Sequence, residues 1–145
     1  MKVLKSILAA LCLCAGAATL TSCNEKIEVQ QVYDFALQTM PVQSEIKVGE
    51  TAEIRCRLLK NGYYDDARFT IRYFQPDGDG ELRMDDGTVF KPNDSYPLTA
   101  EVFRLYYTSR STDQQTIDVY IESNMGQVEK NTFSFTNENT DDGTE

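Results

Sequence analysis

Histidine and tryptophan are both absent from this 145-residue chain. Without imidazole it lacks the side chain most used as a general base near neutral pH and as a zinc ligand. Without indole it lacks the flat stacking platform common in sugar-binding clefts. Basic residues are scarce too, 14 lysines and arginines against 23 aspartates and glutamates, for a formal charge of −9. Duplex nucleic acid, which is bound by neutralising phosphates, is an unsuitable partner for such a chain. So is an anionic headgroup surface. Long apolar runs are missing: the longest, over 7–20, is broken by Gly16 and falls short of the roughly 18 to 20 residues a spanning helix requires.

That N-terminal stretch has another meaning. Lys2 and Lys5 precede the apolar run, which leads to Leu20-Thr21-Ser22-Cys23. Charge, apolar segment and small-residue cleavage site make up a secretory signal peptide, here residues 1–22. The last four residues resemble the lipobox of bacterial lipoproteins. The resemblance implies a diacylated Cys23 thiol, cleavage before it and acylation of the new amino group, with 23–27 as the lipidated tether. Several acyl chains anchor stably where one is marginal, since each buried CH₂ adds about 0.8 kcal/mol. Asn24 rather than an aspartate follows the cysteine, which leans toward the outer membrane.

Removing 1–22 leaves one domain's worth of chain, with 12 basic residues against 23 acidic ones because Lys2 and Lys5 depart. Cys12 and Cys14 leave with the signal and Cys23 is committed to lipid, so only Cys56 belongs to the fold. No intramolecular disulfide is available.

Past Asn24 the apolar residues alternate, and turn residues separate the runs. Ile27, Val29, Tyr33, Phe35 and Leu37 share one parity and predict a first strand ending near Pro41. Ile54, Cys56 and Leu58 point inward on a second strand; Phe69, Ile71 and Tyr73 on a third. Segments 82–84 and 88–90 flank Asp85-Asp86-Gly87, a hairpin signal. Phe103, Leu105 and Tyr107 mark the next strand, and Ile117, Val119 and Ile121 the one after. In the last strand Val128 is even while Phe133 and Phe135 are odd, which predicts a bulge. The polar stretch 137–145 is expected to be a disordered acidic tail. The fold class is therefore all-β, an immunoglobulin-like β-sandwich of about seven strands over 28–136. A small barrel is the alternative.

Candidate chemistry is sparse. Asp77, Asp79, Glu81, Asp85 and Asp86 start like a calcium loop, but Gly80 is followed by Glu81, Leu82 and Arg83 without the bidentate acid that loop requires. As exposed turn carboxylates they also lack the burial that raises a catalytic acid's pKa. No catalytic residue, metal or cofactor is assigned, and the chain reads as a non-enzyme. The outward arginines divide in two. Arg68 and Arg72 are expected to pair across strands with Asp118 and Glu122. Arg55, Arg57 and Arg104 have fewer acids in reach, and with Phe74 and Tyr106 they form the candidate partner-binding set.

The blocks 49–56, 72–78, 80–87 and 111–120, which include Gly49-Glu50-Thr51-Ala52, Arg72-Tyr73-Phe74-Gln75-Pro76 and Gln114-Gln115-Thr116-Ile117-Asp118, are similar to the TraQ-type conjugal-transfer lipoproteins of conjugative transposons in Bacteroides-group bacteria. The resemblance covers nearly the whole mature chain. It implies an accessory envelope component of a transfer apparatus, with other envelope proteins of that machinery as partners, the membrane reached through its lipid, and no catalytic residue to carry over. A glycan-binding or adhesive surface lipoprotein is the alternative, sustained by Tyr63 and Tyr64.

Because the acid spacing breaks after Gly80, thermal melts with chelator and with millimolar calcium should coincide. A midpoint that rises with calcium by mass action would refute this reading of the turns.

Overall fold

The computed structural model describes residues 32–137. Cys23, the tether and residues 138–145 lie outside them. Nine strands follow one another: β1 Phe35–Thr39, β2 Glu45–Ile46, β3 Thr51–Lys60, β4 Phe69–Asp77, β5 Gly80–Met84, β6 Tyr96–Leu98, β7 Val102–Ser109, β8 Gln115–Ser123 and β9 Val128–Asn137. One sheet has the order β1-β3-β7-β5, the other β2-β9-β8-β4-β6. The first sheet, with the β4-β8-β9 part of the second, is consistent with the four-on-three layout of constant-type immunoglobulin domains.

Alternation explains which residues meet between the layers. Successive side chains of a strand point to opposite faces, and β3 buries Ala52, Ile54, Cys56 and Leu58 while Thr51, Arg55 and Arg57 stay exposed. Phe69, Ile71 and Tyr73 of β4, Phe103, Leu105 and Tyr107 of β7, and Ile117, Val119 and Ile121 of β8 complete the same core. The Cys56 thiol is 3% exposed, and loss of water, aided by the nearby Asp85 charge, pushes its pKa up to about 12.

The structure departs from the sequence expectations in five places. The first strand is divided: β1 pairs antiparallel with β3, then beyond Pro41 the chain crosses and β2 pairs parallel with β9. Tyr33 precedes β1 and is not in a strand. Segment 88–90 is no full strand but a single bridge, Arg83 to Val89, beside β5. The expected bulge in β9 does not exist, because its register with β8 is unbroken from Val128 to Phe135 and Val128 simply faces solvent. The irregularity falls instead between Phe74 and Asp77 of β4, where Pro76 has no N–H to give the ladder. Strand β9 also runs on through Asn137.

At the β4–β5 end a polar knot sits between the sheets. The Tyr107 hydroxyl donates to Gln115 Oε1 at 2.7 Å and accepts from Gln75 Nε2 at 2.6 Å, and Gln115 Nε2 donates to Ser109 Oγ at 2.7 Å. The Tyr107 ring stacks on Phe135 with centroids 5.0 Å apart. Burial raises the Tyr107 pKa to about 12, so it remains a neutral donor. Gly80 lies against this phenol, with no room for a Cβ. At the Asp85-Asp86-Gly87 turn, Gly87 has φ +93° and donates its N–H to the Met84 carbonyl at 3.0 Å, a conformation glycine adopts without strain.

Gly80→Ala should therefore displace Tyr107 and cost about 1–3 kcal/mol. The check is the denaturant midpoint at unchanged slope.

Candidate functional site

Sheet pairing assigns each outward side chain to one of two surfaces. On the β1-β3-β7-β5 sheet, β3 presents Glu53, Arg55 and Arg57, β7 presents Val102, Arg104 and Tyr106, and β5 presents Arg83. Four of the five candidate contact residues, Arg55, Arg57, Arg104 and Tyr106, thus share one surface. Phe74 does not: it projects from β4, opposite Asp118, on the other sheet, and is 38% exposed there.

Register makes the first surface electrostatically unusual. Arg55 lies directly opposite Arg104, a like-charge pair that is unfavourable across two strands. One carboxylate serves both: Glu53 Oε1 accepts from Arg55 Nε at 2.8 Å and lies 3.5 Å from Arg104 Nη1. The hydrogen bond from Arg55, with both guanidinium charges, holds the Glu53 pKa below its ordinary value. Arg83 covers the Tyr106 ring at 5.4 Å, and Glu81 at the far end is bound by Arg110 at 2.6 Å. Arg57, opposite Val102, forms no ion pair among the described residues. Between β1 and β7 an open groove of about 280 Å³ is lined by Gln38, Met40, Arg55, Arg57, Val102 and Arg104 among others. Met40 is 57% and Val102 65% exposed.

The opposite surface is closed upon itself. Arg72 Nη2 donates to Glu122 at 3.0 Å and its guanidinium lies 4.3 Å from the Tyr120 ring centroid. Lys130 pairs with Asp118 at 3.3 Å, and Thr132 Oγ1 donates to the same carboxylate at 2.6 Å. The expected Arg72–Glu122 pair is present. Arg68 instead donates to the carbonyls of Asp65 and Ala67, because the register sets it beside Asn124 and places Asp118 opposite Phe74, at the other end of the ladder. The turn acids are occupied with local structure: Asp85 accepts the Arg104 N–H and Asp86 the Thr88 N–H, the latter bond lowering the Asp86 pKa. Among the described residues no group of three or more acids, cysteines or histidines is placed to hold a metal ion. Arg83, Met40 and Val102 were missing from the sequence-derived set. Arg83 and Val102 share the outward parity of their strands, the one trace that could have found them.

Residues 6–138 match the family described as TraQ conjugal transfer protein. The chain belongs to that family. Solved structures agree. A conjugative transposon lipoprotein from Bacteroides eggerthii DSM 20697 aligns at 42% identity over 72% of this chain and 98% of its own, with TM-score 0.68. A lipoprotein from Bacteroides thetaiotaomicron aligns at 56% identity over 81% and 90%, with TM-score 0.68. A conjugate transposon protein from Bacteroides vulgatus aligns at 44% identity over 83% and 99%, with TM-score 0.67. No curated protein matches the chain. The family resemblance and the β-sandwich class expected from the sequence both hold, and with them a place among conjugative transposon lipoproteins.

The Arg72–Glu122 pair is half-exposed but braced by Tyr120, so Arg72→Ala should cost about 1 kcal/mol. A double-mutant cycle with Glu122→Ala should show coupling; strict additivity would mean that the pair contributes nothing.

Proposed function

We propose that this chain is an accessory component of the apparatus that transfers a conjugative transposon, held in the cell envelope by acyl chains on Cys23 and acting by contact with another envelope protein of that apparatus rather than by catalysis. The family match over 6–138 carries the reading. The lipobox-like Leu20-Thr21-Ser22-Cys23 supports the anchor, and Asn24 after it favours the outer membrane. Two related structures are described as lipoproteins, in keeping with that location. The contact surface we favour is the outer face of the β1-β3-β7-β5 sheet, where Arg55, Arg57, Arg104 and Tyr106 lie together.

A glycan-binding reading has one observation in its favour. Tyr63 is 86% exposed and borders an open hollow with Asn61 and Asp34, the kind of aromatic and polar combination on which a sugar ring stacks.

Confinement to a membrane raises the effective concentration of one component near another without any new contact. Deleting the gene in a donor strain should lower transfer of the element, wild type should restore it, and Cys23→Ala should restore it poorly although the sandwich still folds. Undiminished transfer after clean deletion would remove conjugation and favour the glycan reading. Full rescue by Cys23→Ala would retain the pathway and discard the anchor.

A further inference from the structure

The outer face of the β1-β3-β7-β5 sheet combines two features that the opposite face lacks. It carries surplus positive charge in a chain of net charge −9: Arg55, Arg57, Arg83 and Arg104 share it with the Glu53 carboxylate, while Glu81 is held by Arg110. It also has an apolar depression between Met40 and Val102, walled by the stems of Arg55 and Arg57. Arginine stems cover apolar surface while their heads remain available to a carboxylate.

We propose that this groove binds an extended acidic peptide segment of a partner protein, one apolar side chain seated between Met40 and Val102 and flanking carboxylates on Arg57 and on the Arg55–Arg104 pair. This rests on the reading that the chain works by protein contact, and specifies the chemistry of the partner. Alternate residues of an extended segment share a face and lie about 7 Å apart, so acids two positions either side of an apolar residue present all three side chains to the groove together. Those two acids stand about 14 Å apart, twice the spacing of Arg55 and Arg57 along β3, and the long arginine side chains reach outward from the seated apolar residue to meet them. Charge complementarity selects a short segment over a long polyanion. Screening confines attraction to about 8 Å at physiological salt, so a peptide meets the four arginines, whereas a polyphosphate or an extended anionic surface also meets the acids that dominate the rest of the molecule. A second guanidinium on Glu53 leaves Arg55 and Arg104 sharing one carboxylate, so an incoming acid satisfies a cation already under-served. Arg57 gains its first.

The test uses the folded soluble domain and synthetic peptides in which leucine stands two residues from a glutamate on either side, with glutamine and lysine versions as controls. Amide shifts in a titration should concentrate on Gln38 to Met40, Arg55 to Arg57 and Val102 to Arg104. Affinity should fall about tenfold in Arg57→Glu, and should weaken with salt. Val102→Asp, exposed and outside the core, should abolish binding with the fold intact. Equal binding of the glutamine peptide, shifts scattered over both sheets, or unchanged affinity in Arg57→Glu would overturn the proposal. So would vesicles with anionic headgroups that bind the domain more tightly than the peptide and lose that binding in Arg57→Glu, since the face would then be a lipid site. Transfer assays separate this from the broader reading: if Arg57→Glu fails to restore transfer in the deletion donor while no acidic peptide binds, the contact surface stands and its assigned occupant is wrong.

Discussion

Two sheets with no disulfide between them among the described residues must be kept in register by packing and hydrogen bonds, and the phenol of Tyr107 is where that requirement is met. Its ring belongs to the apolar layer, stacked on Phe135, while its hydroxyl, reaching across from β7, is bound to both Gln75 and Gln115 of the opposite sheet through two short hydrogen bonds. Burying such a group is costly unless every polar atom finds a partner, so Gln75, Gln115, Ser109 and the bare backbone of Gly80 are constrained together. A disulfide in comparable sandwiches performs this service by limiting the unfolded chain. Here the specificity comes from a geometry that only one alignment of the sheets can satisfy.

From that alignment the character of each outer surface follows. Once β4 and β9 lie on either side of β8, Arg72 reaches Glu122 and Lys130 reaches Asp118, and the charges of this face are paired off. Once β3 lies beside β7, Arg55 confronts Arg104 and Glu53 has to serve both. The contrast between a satisfied face and an unsatisfied one is thus a product of strand pairing, not of composition. Stability alone gives no reason to retain the unsatisfied one.

Parity along the strands was legible in the sequence, since alternation needs only local information: Cys56, Tyr73 and Val119 were all placed on the correct side. Partnership was not. Phe74 and Tyr106 are both outward members of aromatic pairs, and nothing in their neighbourhoods shows that they belong to opposite sheets. Strands of two and three residues, such as β2 and β6, are too short to alternate, and Pro97 further disguises β6. Val128 was read as inward because apolar residues usually are, and the bulge inferred from it moved to Pro76, whose missing donor was visible all along. The Tyr107 knot escaped notice because Gln115 and Ser109 look like strand-end polar residues until the third dimension brings them together.

The division of the first strand between two sheets bears on how the domain carries load. Segment 35–39 is bonded to β3 and segment 45–46 to β9, and interstrand bonds run perpendicular to the strands they join. A pull along the chain from its N-terminal side therefore meets the bonds of β1 in shear, several at once, instead of peeling them apart singly. Behind them the crossing at Pro41 hands any remaining force to the other layer through β2 and the fully buried Ile46. Were the acyl chains proposed on Cys23 to hold that end, the split strand would resist force as a mechanical clamp.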